Sequence, residues 1–318
     1  MSNPPCPVTG QPAVRFLQSV TTRLLAALWR YNPIFRVDAC PSFRNVEVLG
    51  LWESPTGMYF FEPRLEGDHD FYTTLYRHIG AGEPRGKKRQ KGWRLEYDIA
   101  GTYVRAGDKV LDYGCGFGGF RYAINNASYT GLDPNFADRD ASGKIRNESI
   151  GDHLRTAAGA YDVVCCFQVL EHLADPSGLF KELVRAARPG GRIIVGVPQV
   201  PSAMTRTPNF VFNAPPHHLT WWTKPALMEL ARRSGAEPEY IEPVPWSSAD
   251  AQSYWIERYS LIKSHDTYFK GDWWWHAASV VSWCAGLLAY YILPTPKGGA
   301  PGDYVNILMV ARKLDSSG

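Results

Sequence analysis

A run of glycines between two acidic residues is the strongest chemical signal in the sequence. The run Val110–Phe120 reads VLDYGCGFGGF, and after Asp112 it contains Gly114, Gly116, Gly118 and Gly119. Glycine permits tight turns and lets a ligand approach the backbone closely. Asp133 follows Asp112 by 21 residues, and an acid about 20 residues after such a loop commonly binds the ribose hydroxyls of a nucleotide. The spacing therefore predicts a site for a ligand that contains a nucleoside.

Strands and helices that alternate along the chain would place these residues at one edge of a sheet. The predicted strands are 109–114, 129–133, 161–167, 192–198, 239–244 and 303–314, and the predicted helices are 179–191 and 223–235. We also expect a helix to begin at about Gly119, where its first N–H groups could receive an anion. This alternation predicts a parallel sheet with helices on both faces.

The N-terminal part of the chain follows a different pattern. Leucines at helical spacing predict a helix over 13–31, and two strands are predicted at 46–52 and 58–63. A further helix is predicted over 71–79. Residues 85–91 read RGKKRQK, with five positive charges in seven residues. This run predicts either a solvated linker or a contact with an anionic partner such as a phospholipid, a nucleic acid or a phosphorylated carrier.

Composition excludes several classes of protein. Of 318 residues, 45% are hydrophobic and 20% are charged, with a net charge of +3. These values are typical of globular proteins and indicate no strongly charged partner. The six cysteines form no CxxC pair, which predicts free thiols in a reducing compartment. The N-terminus lacks the pattern of a secretory signal, so we expect a cytoplasmic protein.

The glycine run and three later blocks together resemble the class I S-adenosylmethionine (SAM) dependent methyltransferases. The later blocks are YDVVCCFQVLEHLADP (161–176), ARPGGRIIV (187–195) and HHLTWWT (217–223). The resemblance implies a doubly wound α/β fold with a mostly parallel, seven-stranded Rossmann-like sheet and an antiparallel last strand. It divides the chain into an N-terminal cap (1–92), a SAM-binding core (93–245), an aromatic helical insertion (246–302), and a last strand with a tail (303–318).

The resemblance also implies how single residues would hold SAM. The backbone of Gly114, Gly116 and Gly118 would approach its methionyl end, and Asp112 would lie near its cationic amino group. Asp133, followed by Pro134, would bind the ribose. Glu148 or Asp152 would neighbour the adenine, and Gln168 would contact SAM or the acceptor.

Other residues are candidates for removing a proton from the acceptor or for closing over bound SAM. If the acceptor is a hydroxyl, a base must take its proton, and we favour His217 or His218 over His172 for that role. The aromatic residues expected to close over SAM are Tyr72, Tyr76, Trp93 and Tyr97. No metal is expected, because Thr9 stands where the zinc-binding Cys-Pro-x-Cys-Gly of many relatives has its second cysteine.

The blocks also narrow the acceptor. The segment FQVLEH after the predicted strand 161–167 differs from the Asn/Asp-Pro-Pro-aromatic segment of DNA amino-methylating enzymes, and no Pro-Cys nucleophile follows that strand. We therefore expect a small-molecule or lipid-like acceptor, methylated at oxygen, and no DNA. Two alternatives are a SAM-binding regulatory or scaffold protein without methyl transfer, and an NAD-type oxidoreductase, whose sites favour G-x-G-x-x-G.

The insertion before the last strand contains an uncharged aromatic stretch. Residues 273–296 include no Asp, Glu, Lys or Arg, and the stretch is long enough to span a bilayer. A single span is not expected, because the last strand must return to the sheet that the chain has left. The alternatives are a buried helix, a homodimer contact, and a peripheral membrane contact, the last two through residues 253–293.

Overall fold

The computed structural model describes residues 3–32, 34–78, 94–133, 142–294 and 303–315. The strands are β1 Arg15–Thr21, β2 Val48–Glu53, β3 Tyr59–Glu62, β4 Lys109–Tyr113, β5 Ser128–Leu132, β6 Ile145–Arg146, β7 Tyr161–Phe167, β8 Ala187–Pro198, β9 Thr220–Trp221, β10 Ala236–Pro243 and β11 Asn306–Lys313. The helices are α1 Thr22–Tyr31, α2 His69–His78, α3 Leu95–Gly101, α4 Ile150–Ala157, α5 Pro176–Ala186, α6 Ala203–Arg206, α7 Lys224–Arg233, α8 Ser248–Arg258 and α9 Trp273–Ile292. The basic run 85–91, Trp93 and Pro134 lie outside the described residues.

A seven-stranded sheet forms the centre of the molecule, in the order β10-β11-β8-β7-β4-β5-β6. Strands β4, β5, β6, β7 and β8 pair in parallel, whereas β11 runs antiparallel to both β8 and β10. This confirms the predicted fold class. The chain leaves β4 towards β5 on one side and returns to β7 on the other, so the strand order reverses at the carboxyl end of β4. Ligands of open α/β sheets bind at this kind of position.

Local sequence explains why these elements form where they do. Strand β7 (YDVVCCF) is apolar almost throughout and is buried between its neighbours, as expected of a central parallel strand. Helix α5 begins at Pro176, and the Asp175 side chain accepts a hydrogen bond from the N–H of Gly178. Its buried residues Leu179, Phe180 and Leu183 recur at helical spacing and belong to the core.

The predicted helix over 13–31 is wrong in its first half. Residues Arg15–Thr21 form β1, which pairs antiparallel with β2, and α1 begins only at Thr22. The Thr21 side chain marks the change, since its hydroxyl accepts a hydrogen bond from the N–H of Leu24. Pairing with a distant strand overrides the helical spacing of the leucines.

The expected helix at Gly119 is also wrong. A single 3₁₀ turn covers Gly119–Tyr122, and β5 begins at Ser128. Too few residues separate the glycine run from β5 for an α-helix that also returns to the other end of the sheet, because a helix rises only about 1.5 Å per residue. The glycine run therefore offers loop N–H groups to a ligand, with no helix behind them.

A second sheet joins the cap to the core. Its order is β1-β2-β3-β9, so β9, from the segment between α6 and α7, extends the sheet formed by the N-terminal strands. Aromatic side chains fill the space beneath it, including Trp29, Phe61, Phe71 and Trp221. The cap is thus fixed to the segment that carries His217 and His218.

The insertion forms two packed helices, α8 and α9. The buried positions of α9 are the small residues Ala278, Ser282, Gly286 and Ala289. At Gly286 a Cβ atom would lie 2.3 Å from the Cα of Ile256, so the two backbones touch at this glycine. Among the described residues, no helix has the length and apolar character needed to cross a membrane.

Candidate functional site

The glycine run forms an open loop at the carboxyl end of β4. Gly114, Gly116 and Gly118 have φ values of +67°, +54° and +68°, a region that residues with a side chain rarely adopt. A Cβ atom on Gly114 would lie 2.4 Å from Cγ2 of Val169, whereas one on Gly116 would meet no atom of the described residues within 4 Å. Within this part of the chain, the loop is therefore closed beneath Gly114 and open to a ligand at Gly116.

Asp133 lies beside this loop, as the spacing predicts. The backbone N–H of Gly116 donates a hydrogen bond to Oδ2 of Asp133 at 2.9 Å, and the residue is 7% exposed. Asp133 follows β5 directly, and β5 pairs in parallel with β4. The acid and the open glycine therefore border the same space, as a ribose next to a backbone cradle would require.

Asp112 lies deeper, within β4. It is 1% exposed, and Oδ2 accepts a hydrogen bond from the Tyr129 hydroxyl at 2.7 Å. Burial raises the pKa of Asp112 to about 7, although the hydrogen bond from Tyr129 opposes the shift. A cation bound nearby would favour the ionised form, so Asp112 suits a site that receives an amino group.

Gln168 is held in place by two residues that the sequence analysis did not single out. Its Nε2 atom donates to Glu96 Oε2 at 3.2 Å and to Asn306 Oδ1 at 3.4 Å. Glu96 also accepts a hydrogen bond from Arg94 Nη1 at 3.2 Å. Burial raises the pKa of Glu96, and Arg94 opposes the shift. Arg94 thus brings a positive charge to the carboxyl edge of the sheet, near Glu171 and Asp112.

Of the two candidates for the adenine side, Glu148 is the more firmly fixed. Its Oε2 atom lies 2.9 Å from Nδ1 of His153, and Nε2 of His153 lies 2.6 Å from the Tyr161 hydroxyl. The Asp152 side chain is 57% exposed and forms part of the first turn of α4. Glu148 follows β6, next to the strand that leads to Asp133.

The structure brings three histidines together. The rings of His172 and His217 are 4.4 Å apart, and those of His217 and His218 are 4.6 Å apart. His217 and His218 are each 4% exposed, and burial lowers the pKa of both well below 6.5. Both are therefore neutral and weakly basic at neutral pH. Glu171, beside His172, is fully buried, and burial raises its pKa to about 8. Glu171 was not predicted from the sequence, although a carboxylate next to the histidine in LEH was a visible signal.

Tyrosines from the cap cover this part of the sheet. The ring of Tyr72 packs against His172 and His217. Tyr76 lies within electrostatic reach of both Asp133 and Glu171, and burial raises its pKa to about 12 with those two carboxylates adding to the shift. Tyr97 instead packs against Phe120 and Phe167 in the core. Tyr76 therefore connects the acid beside the glycine loop with the histidine cluster.

Comparison with known proteins finds similarity to methyltransferases. Residues 86–241, just under half of the chain, match the sequence model of a family described as "Methyltransferase domain". The ubiquinone biosynthesis O-methyltransferase of Escherichia coli O157:H7 (strain EC4115 / EHEC) is 32% identical over 125 residues, which are 35% of this chain and 52% of that protein. The protein of the same name from Sodalis glossinidius (strain morsitans) is 32% identical over 113 residues, 31% of this chain and 45% of that protein.

The solved structure of the 1,6-didemethyltoxoflavin-N1-methyltransferase from Burkholderia thailandensis superposes with a TM-score of 0.45 at 15% identity. The match covers 84% of this chain and 96% of that one. The chain spans about half the length of the curated relatives that it matches.

Proposed function

We propose that this chain, whose residues 86–241 match the sequence model of a methyltransferase domain, is a class I SAM-dependent enzyme that transfers a methyl group from SAM to a hydroxyl of a small-molecule or lipid-like acceptor. The observation that carries the proposal is the hydrogen bond from the Gly116 N–H to Asp133 beside the open face of Gly116. This arrangement joins a carboxylate able to bind a ribose diol to backbone that a ligand can approach closely. The name of the relatives, ubiquinone biosynthesis O-methyltransferase, supports oxygen as the accepting atom.

The residues around the glycine loop suit the parts of SAM. Asp133 would accept hydrogen bonds from the two ribose hydroxyls, and Asp112 would offset the charge of the amino group. Arg94, at the same edge of the sheet, would attract the carboxylate. Glu148 would neighbour the adenine. Pro134, next to Asp133, keeps the cofactor role predicted from the sequence.

The chemistry requires positioning more than covalent catalysis. SAM supplies a methyl group on a positive sulfur, so the acceptor oxygen attacks that carbon, the S–C bond breaks and S-adenosylhomocysteine leaves. The protein must hold the oxygen in line with this bond and exclude water, and such orientation supplies most of the acceleration. Tyr76 and the cap around it would provide the cover. The sequence-based prediction gives the hydroxyl proton to His217 or His218.

A transfer assay tests the proposal directly. Purified protein is incubated with SAM labelled in its methyl group and with a metabolite and lipid extract, and products are separated by mass spectrometry. We expect a labelled product one methylene heavier than its precursor, and Asp133→Ala should abolish it. SAM binding without any labelled product would instead support a regulatory or scaffold protein. Thermal stabilisation by NAD but not by SAM would support an oxidoreductase.

The outer face of α9 supports a lipid-like acceptor. The small residues of this helix pack inward on α8, whereas large apolar residues point outward, including Val281, Leu288 and Ile292. Leu288 is 62% exposed and Ile292 is 68% exposed. A helix on a protein surface in water normally shows the opposite arrangement, and exposed apolar patches usually mark contacts.

We propose that this face lies on a membrane surface, at the cytoplasmic side. Trp273 and Trp274 are exposed at one end of α9 and Tyr291 at the other, and such aromatic residues favour the interface between lipid and water. The helix contains no Asp, Glu, Lys or Arg, so lipid contact would bury no permanently charged side chain. The homodimer contact predicted from the sequence is the competing outcome.

Vesicle binding separates the two outcomes. The double variant Val281→Lys/Leu288→Lys is compared with the control Leu314→Lys, which changes an exposed apolar residue that follows β11 and lies outside α9. Burying one such side chain contributes about 1.5–3 kcal/mol, so the double variant should bind phosphatidylcholine–phosphatidylglycerol vesicles at least about tenfold more weakly, with Leu314→Lys unchanged. Equal vesicle binding, or a dimer in sedimentation analysis that the double variant abolishes, would contradict lipid contact.

A further inference from the structure

The three histidines form a compact group of nitrogen atoms between the core and the cap. One ligand-capable atom from each of His172, His217 and His218 lies within 4.8 Å of the other two. His172 follows β7 of the core sheet, whereas His217 and His218 precede β9 of the cap sheet. The group is enclosed, because the His172 side chain is 14% exposed and the other two residues are 4% exposed.

Hydrogen bonds orient two of the rings. Nδ1 of His172 lies 2.6 Å from the carbonyl oxygen of His217, and since a carbonyl only accepts, this nitrogen carries the hydrogen. Nδ1 of His218 lies 3.0 Å from Oδ1 of Asn213 and donates in the same way. Metal-binding histidines typically hold their second ring nitrogen through such a bond. Nε2 of His218 therefore presents a lone pair, whereas the His172 ring also contacts the backbone of Gln168.

The same region contains buried polar atoms that find no partner within the described part of the chain. These are Nδ1 of His217 and both carboxylate oxygens of Glu171. Oε1 of Glu171 lies 3.7 Å from Nε2 of His172, and the carbonyl oxygen of Glu171 accepts a hydrogen bond from the N–H of Leu219 at 2.7 Å. A buried polar group without a hydrogen bond is costly. A cation bound by the histidines would give the His217 ring a partner and would offset the charge of the Glu171 carboxylate.

We propose that His172, His217 and His218 bind a divalent transition-metal ion. Three imidazole nitrogens form a donor set that both Zn²⁺ and Co²⁺ accept. The Glu171 carboxylate, 3.7 Å from Nε2 of His172, would offset part of the charge of the ion. The ion ties the segment after β7 to the segment before β9 and so fixes the cap on the core.

The metal site and the proton-accepting role predicted from the sequence exclude each other. A ring nitrogen whose lone pair binds an ion cannot take a proton from the acceptor. The site requires only the three histidines, so it does not depend on the proposed methyl transfer. Metal binding can therefore be measured without any acceptor.

The test measures binding of Zn²⁺ and Co²⁺ to the full chain after removal of metals with a chelator. We expect one ion per chain by calorimetry, a rise in Tm with Zn²⁺, and an intense visible spectrum with Co²⁺, as four-coordinate sites give. His217→Gln and His218→Gln should each weaken binding by about a hundredfold or more, because a lost ligand costs at least as much as a lost outer-shell partner. Glu171→Gln, which removes a nearby negative charge, should weaken binding by about tenfold. His69→Gln, on an exposed histidine of α2, should bind like the wild type.

Three results would overturn the proposal. One is a wild-type affinity for Zn²⁺ equal to that of the His217→Gln/His218→Gln double variant. Another is a weak, octahedral Co²⁺ spectrum in the wild type, which requires no variant to fold. The third is a combination of two findings: His217→Gln changes the pH dependence of methyl transfer, and treatment with a chelator leaves the activity intact. That combination would show that His217 acts as a base and does not bind a metal. Circular dichroism and SAM affinity check that each variant is folded.

Discussion

Replacing Asp133 should weaken SAM binding by an amount that its surroundings determine. The carboxylate is almost fully buried, and one oxygen already accepts a hydrogen bond from the Gly116 N–H at 2.9 Å. Asp133→Ala removes both the acceptors for the ribose hydroxyls and the bond that fixes the loop. Asp133→Asn retains an oxygen for Gly116 and loses the charge.

Hydrogen bonds to a charged group contribute about 1.5–3 kcal/mol each, and every 1.4 kcal/mol changes affinity about tenfold. Loss of two such bonds in Asp133→Ala corresponds to about 3 kcal/mol or more, or roughly a hundredfold increase in the Kd of SAM. Asp133→Asn keeps one bond to the ribose through its amide, so about a tenfold increase is expected. Asp133→Ala should therefore raise the Kd of SAM more than Asp133→Asn does.

Isothermal titration calorimetry with SAM and with S-adenosylhomocysteine measures these changes. Glu242→Gln is the matched control, because this carboxylate belongs to the edge strand β10 and its side chain is 53% exposed; its Kd should stay within about twofold of the wild type. An unchanged Kd for a folded Asp133→Ala protein would refute the assignment of the ribose to this acid. Equal losses in Asp133→Ala and Glu242→Gln would show that the effect is not local.

Three further predictions concern the loop and the strand beneath it. Gly116→Ala and Gly159→Ala both place a side chain at positive φ where the described residues leave open space, so each should lower the stability of the protein by about 1–2 kcal/mol. Only Gly116→Ala should also reduce SAM affinity. If calorimetry gives the two variants the same SAM affinity, Gly116 does not face the ligand. Tyr129→Phe removes a buried hydrogen bond of 2.7 Å to Asp112 and should cost about 1–3 kcal/mol in chemical denaturation, whereas a loss near zero would mean that the bond contributes nothing. For Asp112, burial raises the pKa from 3.8 to about 7, so the unfolded carboxyl is ionised between those pH values while the folded one keeps its proton. The stability of the ligand-free wild type should therefore fall as pH rises through this window, and the Tm of Asp112→Asn should rise relative to that of the wild type. A difference in Tm between the two proteins that does not change with pH would contradict the raised pKa of Asp112.

Much of the sheet could be predicted from the sequence because its strands are defined by local composition. The continuous apolar run of β7 can be buried only between other strands, and the alternation of such runs with amphipathic helices leaves few arrangements. The glycines and Asp133 could be identified for a similar reason. Parallel neighbours end at the same edge of a sheet, so a fixed spacing along the chain becomes a short distance in space. The Gly116–Asp133 hydrogen bond is the result.

The features that the sequence did not reveal depend on contacts between distant segments. Residues 15–21 have helical spacing but pair with β2, since a partner strand supplies hydrogen bonds that local spacing cannot anticipate. His172 lies 45 residues before His217, and only the joining of β9 to the cap sheet brings the two rings together. The burial of Glu171, and with it the unpaired carboxylate, also arises from that packing. Local patterns thus determined the sheet and the glycine loop, whereas the histidine cluster exists only because two sheets meet, and no spacing along the chain encodes that meeting.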